Sequence, residues 1–280
     1  MNSSKPRLEG KTAIVVGAGK KSELAGTGSA TAVLLAREGA NVLVVDRHEQ
    51  HAHNTVSVIK REGGTASFFK GDVTQANECE AITATALKRY GALNILFNNV
   101  ALNYPGTVLD VHEENWDEIM ATNLKGMMLT SKFAIPEMIK NSGGSIINVA
   151  SIDAFRSGWS YNIAYATSKG GVVAMTVNMA LQHGQDGIRV NCIAPGHLHT
   201  SFTENLSQDH RELRSKATLL KTEGTAWDVG HAAVFLASEE SRWITGITLP
   251  VDAGSSIALP TSILPRDEKG ILPDTKSIRF

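Results

Sequence analysis

Tyr165 and Lys169 stand four residues apart in the run Tyr165, Ala166, Thr167, Ser168, Lys169, with Ser151 upstream and Asn123 further back. On a helix this spacing stacks two side chains on one face, presenting a phenol and an ammonium to the same site. A free phenol titrates near ~10 and is a poor base at neutral pH. A fixed ammonium nearby favours the phenolate, each unit of lowering being worth about 1.4 kcal/mol. Such a pair can move a proton to or from an alcohol oxygen. The spacing alone is common on polar helix faces, so the surrounding elements must decide whether it does chemistry.

Thr12, Ala13, Ile14, Val15 and Val16 make a short apolar, β-branched run that ends in Gly17, Ala18 and Gly19. This pattern predicts a strand buried on both faces, as in a parallel sheet. Gly26, Thr27 and Gly28 then open an Ala- and Leu-rich helical stretch to Arg37, and residues 41–46 repeat the strand pattern and end in Asp46. Strand, glycine-rich turn, helix, strand and terminal acid together make a dinucleotide-binding βαβ unit. Its glycines let the backbone approach a pyrophosphate at a helix N-terminus, where free N–H groups and the dipole favour anions. Asp46 is placed to accept both hydroxyls of an adenosine ribose. His48, His51 and His53 fall where the next helix should begin, and they read as a solvated helix face, with no metal site expected.

Further strands are expected at 66–71, 93–97, 145–149, 187–194 and 247–251. Between them, helices are expected at 75–90, 113–130, 131–141, 165–183 and 225–236. Alternation without repeats or a linker predicts one α/β domain over residues 1–254. Its architecture would be a Rossmann-type doubly wound domain, a seven-stranded parallel sheet flanked by helices. Residues 255–280 carry prolines at 260, 265 and 273 and mixed charges. They are expected to form a C-terminal extension, either disordered or packed over a neighbouring subunit or the active site.

Composition narrows the class. Over 280 residues the hydrophobic fraction is 42%, the charged fraction 20% and the formal net charge −1. That balance offers no basic excess for nucleic acid, and no run approaches the ~18 apolar residues of a membrane span. Residues 1–11 are polar, without the apolar centre of a signal peptide, and Cys79 and Cys192 are isolated. The expectation is a reduced, cytoplasmic protein with a small-molecule substrate and neither nucleic-acid nor membrane partners.

Taken together, these pieces resemble the short-chain dehydrogenases/reductases over about residues 8–254. The resemblance implies a nicotinamide-dependent oxidoreductase that interconverts a secondary alcohol and a ketone. It places the active-site tetrad on Asn123, Ser151, Tyr165 and Lys169. Tyr165 would be the general acid/base, and Lys169 would lower its pKa while binding the nicotinamide ribose. Ser151 would hydrogen-bond the substrate oxygen, and Asn123 would hold a helix kink and a water in a proton relay. The run Asn98, Asn99, Val100, Ala101 is similar to the family's Asn-Asn-Ala-Gly motif, with Ala101 in place of the usual Gly. Asp72 and Val73 resemble the motif that contacts adenine, and Pro195 and Gly196 with Thr200 resemble the segment that holds the carboxamide. The implied cofactor contacts are Gly17, Gly19, Ser22, Gly26, Gly28, Asp46, Arg47, Asp72, Val73, Asn99, Val100, Ala101, Tyr165, Lys169, Pro195, Gly196, Leu198 and Thr200. The family commonly assembles as a homotetramer, here paired through helices at about 113–130 and 154–183.

The glycine loop departs from the family pattern. Eight residues separate Gly17 from Gly26 where three are usual, and Val16 replaces a Thr. The lengthened loop looks like that of the enoyl-acyl-carrier reductases, which however place their Tyr and Lys seven apart. The active site therefore sides with the alcohol dehydrogenases. Two alternatives stay open, an enoyl-thioester reductase and a non-catalytic cofactor-binding regulatory protein. By position after the sheet's carboxyl ends, the substrate-pocket candidates are Asn103, Asp153, Phe155, Trp159, Tyr161, His197 and Phe202. Their aromatic content suggests an apolar or ring-bearing substrate. NAD is expected ahead of NADP because Asp46 would repel a 2′-phosphate, although Lys20, Lys21 and Arg47 lie close in sequence.

Overall fold

The structure, a computed structural model, describes residues 5–156 and 160–259. Trp159 and most of the C-terminal extension lie outside the described residues. The first apolar run forms β1 (Thr12–Val16), which pairs in parallel with β2 (Asn41–Asp46) on one side and β4 (Ile95–Asn98) on the other. With β3 (Ala66–Lys70), β5 (Gly144–Val149), β6 (Ile188–Pro195) and β9 (Thr248–Val251), they make a seven-stranded sheet of order β3-β2-β1-β4-β5-β6-β9. Every pairing in it is parallel. The sequence expectation of a doubly wound seven-stranded sheet therefore holds, with strand ends displaced by a residue or two.

Period-two alternation explains why the strands read as unbroken apolar runs. Ala13 and Val15 of β1, Val42 and Val44 of β2, and Ile95 and Phe97 of β4 point into one core. That core is closed by α1 (Thr27–Arg37), α2 (Glu49–Arg61) and α8 (Ala226–Ala237). Ile14, Val16, Leu43, Val45 and Leu96 point into the opposite core, under α3 (Ala76–Tyr90), α5 (Gly126–Lys140) and α6 (Ile163–His183). Both faces are covered, so a polar side chain on a central strand must find its partner inside the protein.

Two expected helix boundaries are corrected. The stretch expected to break between residues 130 and 131 is one rod. In it α4 (Glu113–Met120) runs through a π-helical turn, Ala121–Lys125, into α5. Thr130 and Ser131 do not end a helix because their hydroxyls bond back to the carbonyls of Gly126 and Met127 at 3.1 and 2.7 Å. The interface helix expected from residue 154 begins only at Ile163; Ile152–Ala154 is a separate 3₁₀ turn. Residues 197–222 hold the short strand β7 (Leu198–His199) and α7 (Gln208–Lys216), and β7 pairs with β8 (Gly224–Thr225).

The same Thr130 and Ser131 complete a buried polar chain across the sheet. Asn98, at the end of β4, donates to Asn148 Oδ1 at 2.9 Å and to Ser131 Oγ at 3.3 Å, and accepts from Thr130 Oγ1 at 2.7 Å. Asn148 in turn donates to Thr176 Oγ1 at 3.0 Å. The chain ties β4, β5, α5 and α6 together, so Asn98 holds the sheet while its neighbour Asn99 faces the site. Removing one member strands the others without water. Asn98→Ala should therefore destabilise the protein by about 2–3 kcal/mol in urea unfolding; a loss below about 0.5 kcal/mol would mean the chain is not structural.

Candidate active site

The strand order reverses between β1 and β4, and a cavity of about 720 Å³ opens at the carboxyl ends of the strands there. Its floor is the glycine loop. Gly17 takes φ +69°, a left-handed conformation that turns the chain sharply off β1. Asn99 donates to the Gly17 carbonyl at 3.0 Å. Gly28 packs so closely on that carbonyl that a Cβ there would collide with it. The helix α1 therefore begins immediately against the loop, with Ser29 Oγ accepting from the Gly26 N–H at 3.0 Å.

The extra loop length is absorbed against α2. Thr55 Oγ1 donates to Ala18 O at 2.7 Å, Lys20 N to His51 O at 2.9 Å, and Asn54 Nδ2 to Lys20 O at 3.1 Å. The Asp46 carboxylate clamps the same loop, accepting from Gly19 N and from His48 N, each at 2.9 Å. Each Asp46 oxygen keeps acceptor capacity beyond its one backbone bond. Of the neighbouring cations, Lys20 pairs with Glu23 at 3.5 Å and Lys21 with Glu204 at 3.3 Å. Arg47 is exposed at the cavity edge, its Nε 3.3 Å from His48 Nε2. His48, His51 and His53 sit at the start of α2, as the sequence implied; among the described residues no group of three or more His, Cys, Asp or Glu is placed to hold a metal.

At the other end of the cavity β5 and α6 bring the chemical groups together. Tyr165 lies in the first turn of α6, Lys169 one turn later, and Ser151 just beyond β5. All three border the cavity. Lys169 is buried; its Nζ donates to Val149 O at 2.8 Å and sits 5.6 Å from the centroid of the Tyr165 ring. The electrostatics differ from the sequence expectation. Burial pushes the Tyr165 phenol up to about 12; the Ser151 hydroxyl pulls the other way, and Asp153 adds to the rise. Burial also lowers the Lys169 ammonium to about 8. Desolvation outweighs the attraction of the ammonium for a phenolate, so in this state the phenol holds its proton.

Asn123 does not border the cavity. It lies within the π-helical turn, and its amide is committed. Oδ1 accepts from Leu102 N at 2.8 Å, while Nδ2 donates to Leu102 O at 2.9 Å and to Ser168 Oγ at 3.1 Å. It thus braces the α4–α5 rod against α6 and the loop after β4.

Most of the expected cofactor contacts border the cavity: Gly17, Gly19, Gly26, Asp46, Arg47, Asp72, Val73, Asn99, Val100, Ala101, Pro195, Gly196, Leu198 and Thr200. Two do not. Gly28 lies beneath Gly17, and Ser22 faces a separate groove with Lys20, Lys21 and Arg61. Of the substrate-side candidates, Trp159 lies outside the described residues. Only Phe202 borders the cavity; Asn103, Asp153, Phe155, Tyr161 and His197 do not. Phe155 and Tyr161 are exposed, Asp153 accepts from Asn162 Nδ2 at 3.1 Å, and His197 is partly buried. Sequence reasoning missed Glu118 and Arg214, which border the cavity from α4 and α7. Both looked like ordinary charges on polar helices; packing turns Arg214 inward, whereas Glu118 stays exposed at the cavity edge and accepts from the Tyr104 hydroxyl at 2.9 Å.

The geometry suits a dinucleotide. It offers a left-handed glycine turn at a helix start, a clamped carboxylate at the end of β2, and an elongated cavity running to a phenol and an ammonium. Known proteins agree with that fit. A family model described as enoyl-(acyl carrier protein) reductase matches residues 22–256. The chain is 35% identical over 254 residues to 2,5-dichloro-2,5-cyclohexadiene-1,4-diol dehydrogenase LinX of Sphingobium indicum, covering 90% of this chain and 99% of that one. It is 38% identical over 233 residues to dehydrogenase/reductase SDR family member 4 of Bos taurus, covering 82% of this chain and 83% of that one. Among solved structures it is similar to a 7α-hydroxysteroid dehydrogenase complexed with NADH and 7-oxo glycochenodeoxycholic acid, with TM-score 0.84 and 32% identity over 91% of this chain and 97% of that one. The chain is an oxidoreductase of the short-chain dehydrogenase/reductase family.

Proposed function

We propose that this protein interconverts a secondary alcohol and its ketone with NAD as the hydride carrier. The observation that carries this reading is one cavity bordered by Asp46 at one end and by Ser151, Tyr165 and Lys169 at the other. A bound nicotinamide dinucleotide supplies hydride transfer; Gly17, Gly26, Asp46, Asn99, Lys169 and Thr200 are the groups that would hold it. The rest falls to the chain. The Ser151 hydroxyl holds the substrate oxygen beside the Tyr165 phenol. In ketone reduction Tyr165 gives its proton to that oxygen, and its high pKa keeps it charged with that proton at neutral pH. In alcohol oxidation it must first lose the proton, so oxidation should quicken as pH rises into the alkaline range. Lys169 sits where its charge favours that loss.

The activities named for two relatives both concern hydroxyls on carbocycles, which supports a ring-borne secondary alcohol as the substrate class. A second reading, reduction of an enoyl thioester, draws support from the description of the matching family model. The four-residue spacing of Tyr165 and Lys169 favours the alcohol, and turnover of a crotonyl thioester would favour the alternative.

Tyr165→Phe removes the proton carrier and leaves Lys169 in place. It should cost about 10²–10⁴-fold in kcat with little change in NADH affinity. Retention of more than about a tenth of the rate would remove Tyr165 from the reaction, and loss of any Tyr165-dependent turnover across a panel of ring alcohols would favour a non-catalytic role.

Asp46 supports NAD over NADP. Its carboxylate is held in place by two backbone N–H groups, while Lys20 and Lys21 are already paired with carboxylates. A 2′-phosphate beside Asp46 would meet like charge. The expected ratio of kcat/KM for NAD over NADP is at least about tenfold, equivalent to ~1.4 kcal/mol, and Asp46→Ala should erase most of it. An NADP preference in the wild type would assign the ribose reading to the basic loop instead.

A homotetramer paired through α5 and α6 is the assembly we propose. Met128 on α5 and Val177 and Leu181 on α6 are exposed, Leu181 at 81%. Such apolar side chains on neighbouring long helices suit helix-to-helix contact between copies. Light scattering at micromolar concentration should give the tetramer mass; a monomer would overturn the assignment.

A further inference from the structure

The side of the cavity formed by α7 carries a charge that the proton chemistry does not use. Arg214 borders the cavity with Phe202, Asn205 and Leu198, and its side chain is only 13% exposed. Its guanidinium makes one hydrogen bond, from Nη2 to the Leu198 carbonyl at 3.2 Å. Nε and Nη1 are buried and have no hydrogen-bond partner. Glu223 answers for them only in part: its Oε2 accepts from Arg211 Nε at 2.8 Å, and its Oε1, buried without a hydrogen-bond partner, forms an ion pair with Arg214 Nη1 at 3.9 Å. Two guanidinium groups therefore share one carboxylate, and the local excess is positive.

The other nearby carboxylates, Asp153 and Asp252, stand back from the cavity. His197 is shifted towards its neutral form by burial and then by Arg214 itself. Asp252 is spent on the turn that follows it, accepting from Gly254 N at 2.9 Å and Ser256 N at 2.7 Å, and neither Asp252 nor Asp153 borders the cavity. A buried guanidinium short of acceptors is costly to keep, and its planar fork matches a carboxylate in a bidentate way.

Resting on the reading that a hydroxyl-bearing substrate lies beside Tyr165, we propose that this substrate also carries an anionic group, a carboxylate being the simplest, which Arg214 receives on the edge that carries its unpartnered Nε. The substrate class is then a hydroxy or oxo acid on an apolar ring, with Phe202 against the ring and Arg214 beyond it. The same guanidinium could instead serve the pyrophosphate of the dinucleotide. The bond to Leu198 holds the guanidinium beyond the carboxyl end of β6, where Phe202 borders the same cavity, and NADH affinity separates the two assignments.

The test uses the full chain saturated with NAD, which cannot react with a ketone. The probes are 4-oxocyclohexanecarboxylate and 4-acetylbenzoate, each beside its methyl ester, titrated by calorimetry into wild type, Arg214→Gln and Arg214→Lys. NADH affinity is measured for each variant by fluorescence. For at least one pair, wild type should bind the acid at least about tenfold more tightly than the ester. Arg214→Gln should lose that preference with NADH affinity unchanged, and Arg214→Lys should keep part of it. Equal binding of acid and ester by wild type, no binding of either acid, or an unchanged preference in Arg214→Gln would overturn the proposal. A drop in NADH affinity without a change in the acid preference would assign Arg214 to the dinucleotide instead. Turnover separates this from the reading beneath it. Arg214-dependent binding without Tyr165-dependent reduction of the bound acid would leave the anion site standing and sink the alcohol–ketone reading. Where turnover occurs, the Arg214→Gln loss should appear in KM for the acid rather than in kcat.

Discussion

The close approach of Gly17, Asn99 and Gly28 is the constraint on which the rest of the site depends. Between β1 and β4 the chain leaves the sheet in opposite directions, and a long ligand can lie across the strand ends in the gap between the two departures. For that gap to be usable, α1 must start against the end of β1. The Gly17 carbonyl occupies the space where a Cβ on residue 28 would sit, and the Asn99 amide holds that carbonyl from the side of β4. A side chain at 28 would push the helix start away from the strand, and with it the N–H groups that face the cavity. Asp46 and α2 then hold the longer first part of the loop, so the additional residues lie along the outside and leave the floor intact.

The chemical end of the cavity is governed by desolvation. Lys169 is buried with one backbone acceptor and no carboxylate partner, and Tyr165 is in a setting that favours its neutral form. Both groups are thereby displaced from their solution values towards neutrality, the phenol upward and the ammonium downward. The phenol is held protonated, and its loss of the proton requires a change in local charge that offsets the desolvation. Ser151 and the brace from Asn123 to Leu102 and Ser168 keep the geometry fixed while that happens. Placing Asn123 in a π-helical turn lets its amide leave the axis of the α4–α5 rod and reach both partners.

The sheet and the first βαβ unit were legible because their signals are local. An unbroken apolar run such as residues 12–16 has one comfortable environment, a strand covered on both faces, and the glycines and Asp46 follow it at the spacing a dinucleotide needs. Tyr165 and Lys169 were equally legible, since a four-residue interval on one helix brings them to one side whatever surrounds that helix. The break read at Thr130 and Ser131 failed for a physical reason. A hydroxyl pair can end a helix or bond back into it, and Asn98, thirty residues away in the chain but adjacent in space, selects the second.

The sequence by itself thus determined the fold class, the shared helix face of Tyr165 and Lys169 and the carboxylate at the end of β2, because each rests on periodicity or on a fixed interval along one element. Only the tertiary structure decided which charges face the cavity. Arg214 and Glu118 were indistinguishable from solvated helix charges, whereas Phe155 and Tyr161, aromatic and well placed in order, turn outward. It also decided the protonation balance at Tyr165. Spacing gives the Coulombic attraction of a neighbouring ammonium, but the opposing term is the loss of water around both groups, and burial is a property of the packed whole.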